Sequence, residues 1–138
     1  QLAMKYSSAA NYFETACAAI DEMFRQTGKF EFDDNGMLTR GVIIRHLILP
    51  GQVENSLKVL DWIGETFRKG EVLVSLMRQY TPMEGIGKKY PSLADPVSDR
   101  EYASFVALGQ DLGIAHGFTQ EKGAIGESFI PLFDNTGV

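Results

Sequence analysis

The sequence holds one cysteine, Cys17, and only two histidines, His46 and His116, among its 138 residues. A single thiol excludes an intrachain disulfide and gives no sign of an oxidising compartment. It also excludes a cysteine-ligated metal centre, and two histidines leave a zinc site hard to assemble. We therefore assign no metal ligands to this chain.

Long apolar runs and an excess of positive charge are missing too. No apolar stretch reaches the roughly 20 residues that a membrane-spanning helix needs, and the N-terminus shows no secretory pattern. The formal net charge of -5 disfavours a general role at nucleic acids or membrane surfaces, because phosphate binding requires a positive field. We expect a cytoplasmic protein without nucleic-acid or membrane partners.

The composition is that of a globular protein, with 44% hydrophobic and 22% charged residues, both near the usual averages. The length corresponds to a single domain, residues 1–138, that can bury a substantial core. Disordered and collagen-like classes are excluded.

The most informative segment is Gly41–Leu49, whose side chains are almost continuously apolar and mostly β-branched. Such a composition predicts a strand buried on both faces, as in a parallel sheet covered by helices. A helix from about Val53 to Arg68 and a second strand, Val72–Tyr80, are predicted to follow. Their spacing is that of one right-handed βαβ crossover.

The N-terminal part is predicted to hold a helix from about Asn11 to Thr27, after a connection without periodicity over residues 1–10. Asn11 and Glu14 have the spacing of a capping box, and Gly28 favours the end of the helix. Asp33–Gly36 predicts a turn; its acidic residues also allow a calcium site, but the ligand spacing of an EF-hand is missing.

The C-terminal part begins with a long loop, Thr81–Pro96, that carries three of the five prolines. Ser98 and Glu101 predict a capping box for a helix to about Gly113, and Ile114–Thr119 predicts a short third strand. Alternation of helices and strands at this pitch indicates an α/β fold, either a doubly wound sheet or part of a (β/α) barrel. Three strands are too few to close a barrel.

Ligand sites in α/β sheets form at the carboxyl ends of strands, which draws attention to Arg45 and His46. A guanidinium on a buried strand needs a carboxylate or phosphate. The partner is either an acidic ligand or a helix carboxylate such as Glu54 or Glu14. Because side chains alternate along a strand, His46 faces the other side, where packing against a helix is favoured over ligand binding.

The second strand ends in Arg78, Gln79 and Tyr80. Gln79 is the better candidate for ligand binding, whereas Arg78 is expected to meet a helix carboxylate. No phosphate loop, dinucleotide-binding glycine motif, nucleophile elbow or metal-binding spacing is present in the sequence. Residue chemistry alone thus indicates a polar-lined site at the mouth of a parallel sheet.

Several segments together resemble radical S-adenosylmethionine enzymes related to the pyruvate formate-lyase activating enzyme, and most closely an uncharacterised branch of that family. The matching segments cover essentially the whole chain; they are AMKYSSAANYFE, GVIIRHLILPG, ENSLKVLDWI, VSLMRQYTPM, YPSLADPVSDREY and GESFIPLFD.

The resemblance implies a partial (β/α)6 barrel that binds a [4Fe–4S] cluster through a CxxxCxxC loop and S-adenosylmethionine on the cluster's free iron. Such enzymes generate a 5′-deoxyadenosyl radical, and the activating enzymes use it on a glycine of a partner protein. Arg45 matches the family arginine beside the polar end of the cofactor. Gln79 and Tyr80 fall where the next strand contributes to that pocket, although Thr81 stands at the activating enzyme's histidine position.

The chain lacks the CxxxCxxC motif, so the resemblance implies the C-terminal half of such an enzyme, without radical activity alone. An open sheet edge would then favour self-association of the fragment. Two alternatives remain: a non-catalytic half-barrel that binds an anionic ligand through Arg45, and an α/β domain in which Arg45 is structural.

Overall fold

The computed structural model describes residues 2–111 and 117–119, the last three by their backbone. Five α-helices are described: α1 Leu2–Ser7, α2 Tyr12–Thr27, α3 Val53–Thr66, α4 Ile86–Lys89 and α5 Asp99–Asp111. The described strands are β1 Glu31–Phe32, β2 Leu38–Arg40, β3 Ile43–Leu47, β4 Leu73–Met77 and β5 Gly117–Thr119. Within these ranges no helix is both long and apolar enough to cross a membrane.

The centre of the fold is a parallel sheet in the order β3-β4-β5. β3 and β4 pair in parallel over their full length, from Ile43 opposite Leu73 to Leu47 opposite Met77. Helix α3 connects them, which confirms the predicted βαβ connection between parallel strands. β5 lies parallel to β4 on its other side, at the end of the segment predicted as a third strand. The mixed α/β class is therefore confirmed.

One face of this sheet is covered by α3 and α5. Sheet residues Ile44, Ile48 and Val74 are at most 8% exposed, and they belong to one apolar cluster with the helix residues Leu60, Ile63 and Phe105. Helix α2 reaches the edge of this core through Phe24, whose ring lies 5.1 Å from that of Phe67. Burial of this cluster supplies the main driving force for folding.

The prediction that β3 is buried on both faces is wrong. Ile43 is 41% exposed and Leu47 38% exposed, and Arg45 between them is exposed as well. β4, by contrast, is buried on both faces except at Met77. An apolar composition shows what a strand can bury, but it does not show whether a layer covers each face.

Two predictions at the N-terminus are also wrong. Residues Leu2–Ser7 form helix α1 rather than an irregular connection. Asn11 precedes α2, but its side chain makes no capping hydrogen bond, so the predicted capping box is not formed. The predicted end is confirmed, since Gly28 adopts φ +71° and donates its N–H to the carbonyl of Phe24 at 2.7 Å.

The acidic segment Asp33–Gly36 forms the turn of the β1–β2 hairpin, as predicted. The carboxylate of Asp33 accepts hydrogen bonds from the backbone N–H groups of Asn35 at 2.9 Å and Met37 at 2.8 Å. Such bonds are characteristic of Asx turns. Asp33 therefore shapes the turn. No cluster of three or more potential metal ligands occurs in the described part of the chain.

The segment Thr81–Pro96, predicted as a loop, contains the short helix α4 and a 3₁₀ turn, Pro91–Leu93. Tyr90 lies between them and packs edge-on against Tyr6 of α1, with ring centroids 5.0 Å apart. Its hydroxyl donates to the carbonyl of Lys5 at 2.9 Å. Helix α1 is thus anchored on the segment that follows β4.

Gly41, between the hairpin and β3, is a position where only glycine fits. Its φ is +117°, and a Cβ there would lie 2.5 Å from the Cα of Phe30. We expect Gly41→Ala to lower the free energy of unfolding by about 3 kcal/mol, because it combines backbone strain with overpacking.

Urea denaturation of Gly41→Ala and of Gly36→Ala separates the effect of backbone strain from that of overpacking. Gly36 also has a positive φ, +76°, but a Cβ at this position would meet no atom within 4 Å, so the loss in this variant should be only about 1 kcal/mol. Equal losses in the two variants would contradict the close contact with Phe30.

Candidate functional site

The candidate site is the uncovered face of β3, formed by the side chains of Ile43, Arg45 and Leu47. Side chains alternate along a strand, so these three share a face while Ile44 and His46 point toward the helices. Arg45 lies opposite Ser75 of β4, a small polar residue that is only 8% exposed. The face therefore presents one guanidinium between two partly exposed apolar side chains.

Arg45 is solvent-exposed, which corrects the expectation of a buried guanidinium. Neither ion pair recorded among the described residues involves it; these pairs join Arg25 to Glu22 and Arg78 to Asp99. The alternative of a helix carboxylate partner, Glu54 or Glu14, is therefore wrong for this structure. An exposed guanidinium keeps its hydration and needs no internal counter-charge.

His46 packs against the helix layer, as expected from its place on the strand. Its Nε2 lies 2.9 Å from the hydroxyl oxygen of Ser56 on α3, and its ring lies 5.8 Å from that of Phe105 on α5. Burial lowers the pKa of His46 from 6.5 to about 4, because the charged imidazolium loses its hydration. His46 is therefore neutral at pH 7 and links β3 to both helices.

Arg78 meets a helix carboxylate, which confirms the prediction for this residue. Its Nη2 lies 2.7 Å from a carboxylate oxygen of Asp99 in the first turn of α5. The guanidinium also stacks over the ring of Tyr102 at 5.0 Å. Arg78 is 7% exposed, so it stabilises the docking of α5 on β4 and does not face solvent.

Gln79 and Tyr80 follow the carboxyl end of β4, whereas Arg45 lies at the middle of β3, opposite Ser75. Both are half-buried. The Tyr80 hydroxyl donates to the carbonyl of Leu93 at 2.7 Å, and burial raises its pKa. The Gln79 amide makes no hydrogen bond to another described residue. The Tyr80 hydroxyl thus already has a structural partner among the described residues.

Two polar contacts of this region were not predicted from the sequence: that of Ser56 with His46 and that of Glu101 with Gly51. Ser56 is 2% exposed and hydrogen-bonds to His46. The signal available in the sequence was a serine on the apolar stripe of α3, one turn before the buried Leu60. Glu101 forms the predicted capping box with Ser98 and also accepts the N–H of Gly51 at 3.2 Å. These hydrogen bonds lower the pKa of Glu101.

Glu101 thereby ties the turn after β3 to the first turn of α5. The N-terminus of a helix favours negative charge, so the ionised carboxylate is well placed for both contacts. This hydrogen bond connects the turn at the carboxyl end of β3 to the helix layer on the covered face of the sheet.

Comparison with known proteins yields no relative: no protein-family model, no curated protein and no solved structure matches this chain. The class that can be stated from the structure is therefore a mixed α/β protein with a small parallel sheet and an uncovered face on β3. Any narrower assignment depends on the chemistry of that face and on the sequence resemblance.

The buried His46 predicts a specific dependence of stability on pH. In the unfolded chain its pKa is near 6.5, and in the fold it is about 4, so the unfolded state binds more protons between these values. The stabilisation is complete above pH 6.5 and is lost as the pH falls toward 4. We expect the urea midpoint to fall over this interval, and less so in His46→Leu.

The NMR titration of the His46 ring provides the direct check. Its proton shifts should stay constant from pH 8 down to about pH 5, because the neutral ring persists in the fold. A midpoint near 6.5 in the folded protein would contradict the buried contact with Ser56 and Phe105.

Proposed function

We propose that this chain forms part of the S-adenosylmethionine and substrate pocket of a radical S-adenosylmethionine protein of the glycyl-radical-activating type. In this proposal the parallel sheet is half of a (β/α)6 barrel, and the uncovered face of β3 is the inner face of that barrel. The substrate would be a glycine of a partner protein. Arg45 would bind the carboxylate of the cofactor, with Gln79 and Tyr80 at the edge of the pocket.

The observation that supports this proposal is the exposure of Arg45 on β3 between the apolar side chains of Ile43 and Leu47. A guanidinium binds a carboxylate through two parallel hydrogen bonds. The neighbouring Ile43 and Leu47 offer apolar surface for the uncharged part of the same ligand. A small molecule with one acidic end and one less polar end, such as S-adenosylmethionine, fits that arrangement.

The residues of this chain fit one of the two implied cofactors, S-adenosylmethionine, but not the other, the [4Fe–4S] cluster. S-adenosylmethionine fits because an exposed guanidinium lies on a parallel strand between two partly exposed apolar side chains. The [4Fe–4S] cluster does not fit, because the only thiol is Cys17, which lies half-buried on α2, and burial raises its pKa. The cofactors would supply the radical chemistry; the residues of this chain bind and orient.

A non-catalytic function is the second candidate and rests on the same arginine. A half-barrel that binds a simple anion through Arg45 needs no adenosine pocket. The two candidates differ in which part of S-adenosylmethionine contributes to affinity, so ligand fragments distinguish them.

Isothermal titration calorimetry tests the proposal with S-adenosylmethionine, methionine and methylthioadenosine, which lacks the amino acid end. We expect Arg45→Ala to weaken S-adenosylmethionine binding by about 10- to 100-fold, the usual value of a charged hydrogen bond. Binding of methylthioadenosine should stay unchanged in this variant. Arg68→Ala removes the same charge from an exposed residue after α3 and serves as the control.

Three results would count against the proposal. If S-adenosylmethionine does not bind, or binds Arg45→Ala as tightly as the unmodified chain, the assignment of the arginine fails. If methionine binds as tightly as S-adenosylmethionine and depends equally on Arg45, the simple anion site is the correct function.

A further inference from the structure

Among the described residues, no strand pairs with the outer edge of β3, so the strand has a free edge as well as an uncovered face. The carbonyl of Val42 accepts the N–H of Leu73 at 3.0 Å, and the N–H of Ile48 donates to the carbonyl of Met77 at 2.9 Å. These two bonds lie just before and just after β3. The N–H and C=O groups of one residue point to the same side of a strand, and this side alternates from residue to residue. The even-numbered residues of β3 therefore bond to β4.

The backbone groups of Ile43, Arg45 and Leu47 therefore point away from β4. Within residues 2–111 and 117–119, no other strand pairs with β3 on that side. The same three residues carry the side chains of the uncovered face. An unpaired edge with exposed apolar side chains is a template for the addition of another strand.

A second copy of this chain is a poor occupant of the edge. Two copies related by a two-fold axis at the middle of β3 would pair in an antiparallel manner, with Ile43 opposite the partner's Leu47. The same axis would place the two Arg45 residues directly opposite each other on one face. Like charges in that position destabilise strand pairing.

We propose that the free edge of β3 binds an extended segment of a different protein, with an acidic residue opposite Arg45 and apolar residues two positions to either side. The backbone groups of the three odd-numbered residues supply the main-chain hydrogen bonds. Arg45 supplies the selectivity, and Ile43 and Leu47 contact the apolar side chains of the partner. The side-chain pattern expected of the partner segment is the same in both chain directions, so the segment can lie parallel or antiparallel to β3.

This inference does not use the proposed half-barrel, in which the next strand of the barrel would occupy the same edge of β3; it depends on backbone groups that no small molecule needs. The two ligands would nevertheless share the guanidinium. S-adenosylmethionine should therefore compete with the acidic segment, whereas methylthioadenosine should not.

NMR titration of the full chain tests the proposal with a synthetic peptide of alternating valine and threonine around one central glutamate. The amide signals of Ile43, Arg45 and Leu47 should shift most. A matched peptide with a central lysine should bind about 3- to 10-fold more weakly, because an opposite-charge pair is replaced by a like-charge pair.

Two variants at one position isolate the backbone contribution. Ile43→Pro removes an outward N–H at the start of an edge strand, where proline is tolerated, and it should abolish peptide binding. Ile43→Ala keeps the N–H and should retain most of the affinity. Three results obtained with the unmodified chain would each overturn the proposal. They are equal binding of both peptides, amide shifts confined to other residues, and a stable dimer in light scattering.

Discussion

The parallel pairing of β3 with β4 is the interaction on which the rest of the structure depends. The register, with Arg45 opposite Ser75 and His46 opposite Leu76, decides which side chains point toward the helices. A shift by one residue would place Arg45 in the core and His46 on the open face. The buried contact of His46 with Ser56 and the burial of Ile44 and Ile48 favour the observed register.

The covered face is further organised by polar contacts that each join two elements. His46 links β3 to α3, Arg78 links the end of β4 to Asp99 of α5, and Tyr102 donates from α5 to the carbonyl of Leu76 at 2.9 Å. Each of these groups lies next to apolar side chains, where an unpaired polar group would be costly. They specify the docking of the helices as well as stabilise it.

The covered side of the fold could be predicted from the sequence to a large extent. The periodicity of α3, the apolar β3 and β4, the turn at Asp33 and the capping box at Ser98 all depend on local patterns, and the structure confirms them. The pairing of Arg78 with a helix carboxylate and the packing of His46 followed from side-chain alternation. These predictions succeed because short-range chemistry decides them.

The open side could not be predicted in this way. The composition of Gly41–Leu49 indicates a buried strand, yet the exposure of Ile43, Arg45 and Leu47 depends on which layers lie over the sheet. The contact of Ser56 with His46 and that of Glu101 with Gly51 were missed for a similar reason, since the partners lie 10 and 50 residues apart in the sequence. Long-range contacts leave little trace in a local pattern.

Residue-resolved hydrogen exchange of the β3 amides tests the central claim most directly, because it measures which backbone groups are paired. The alternation of the ladder predicts slow exchange for Ile44 and His46, which bond to β4, and fast exchange for Ile43, Arg45 and Leu47. Equal protection at all five positions would contradict the free edge, and with it the account of an uncovered, ligand-binding face on β3.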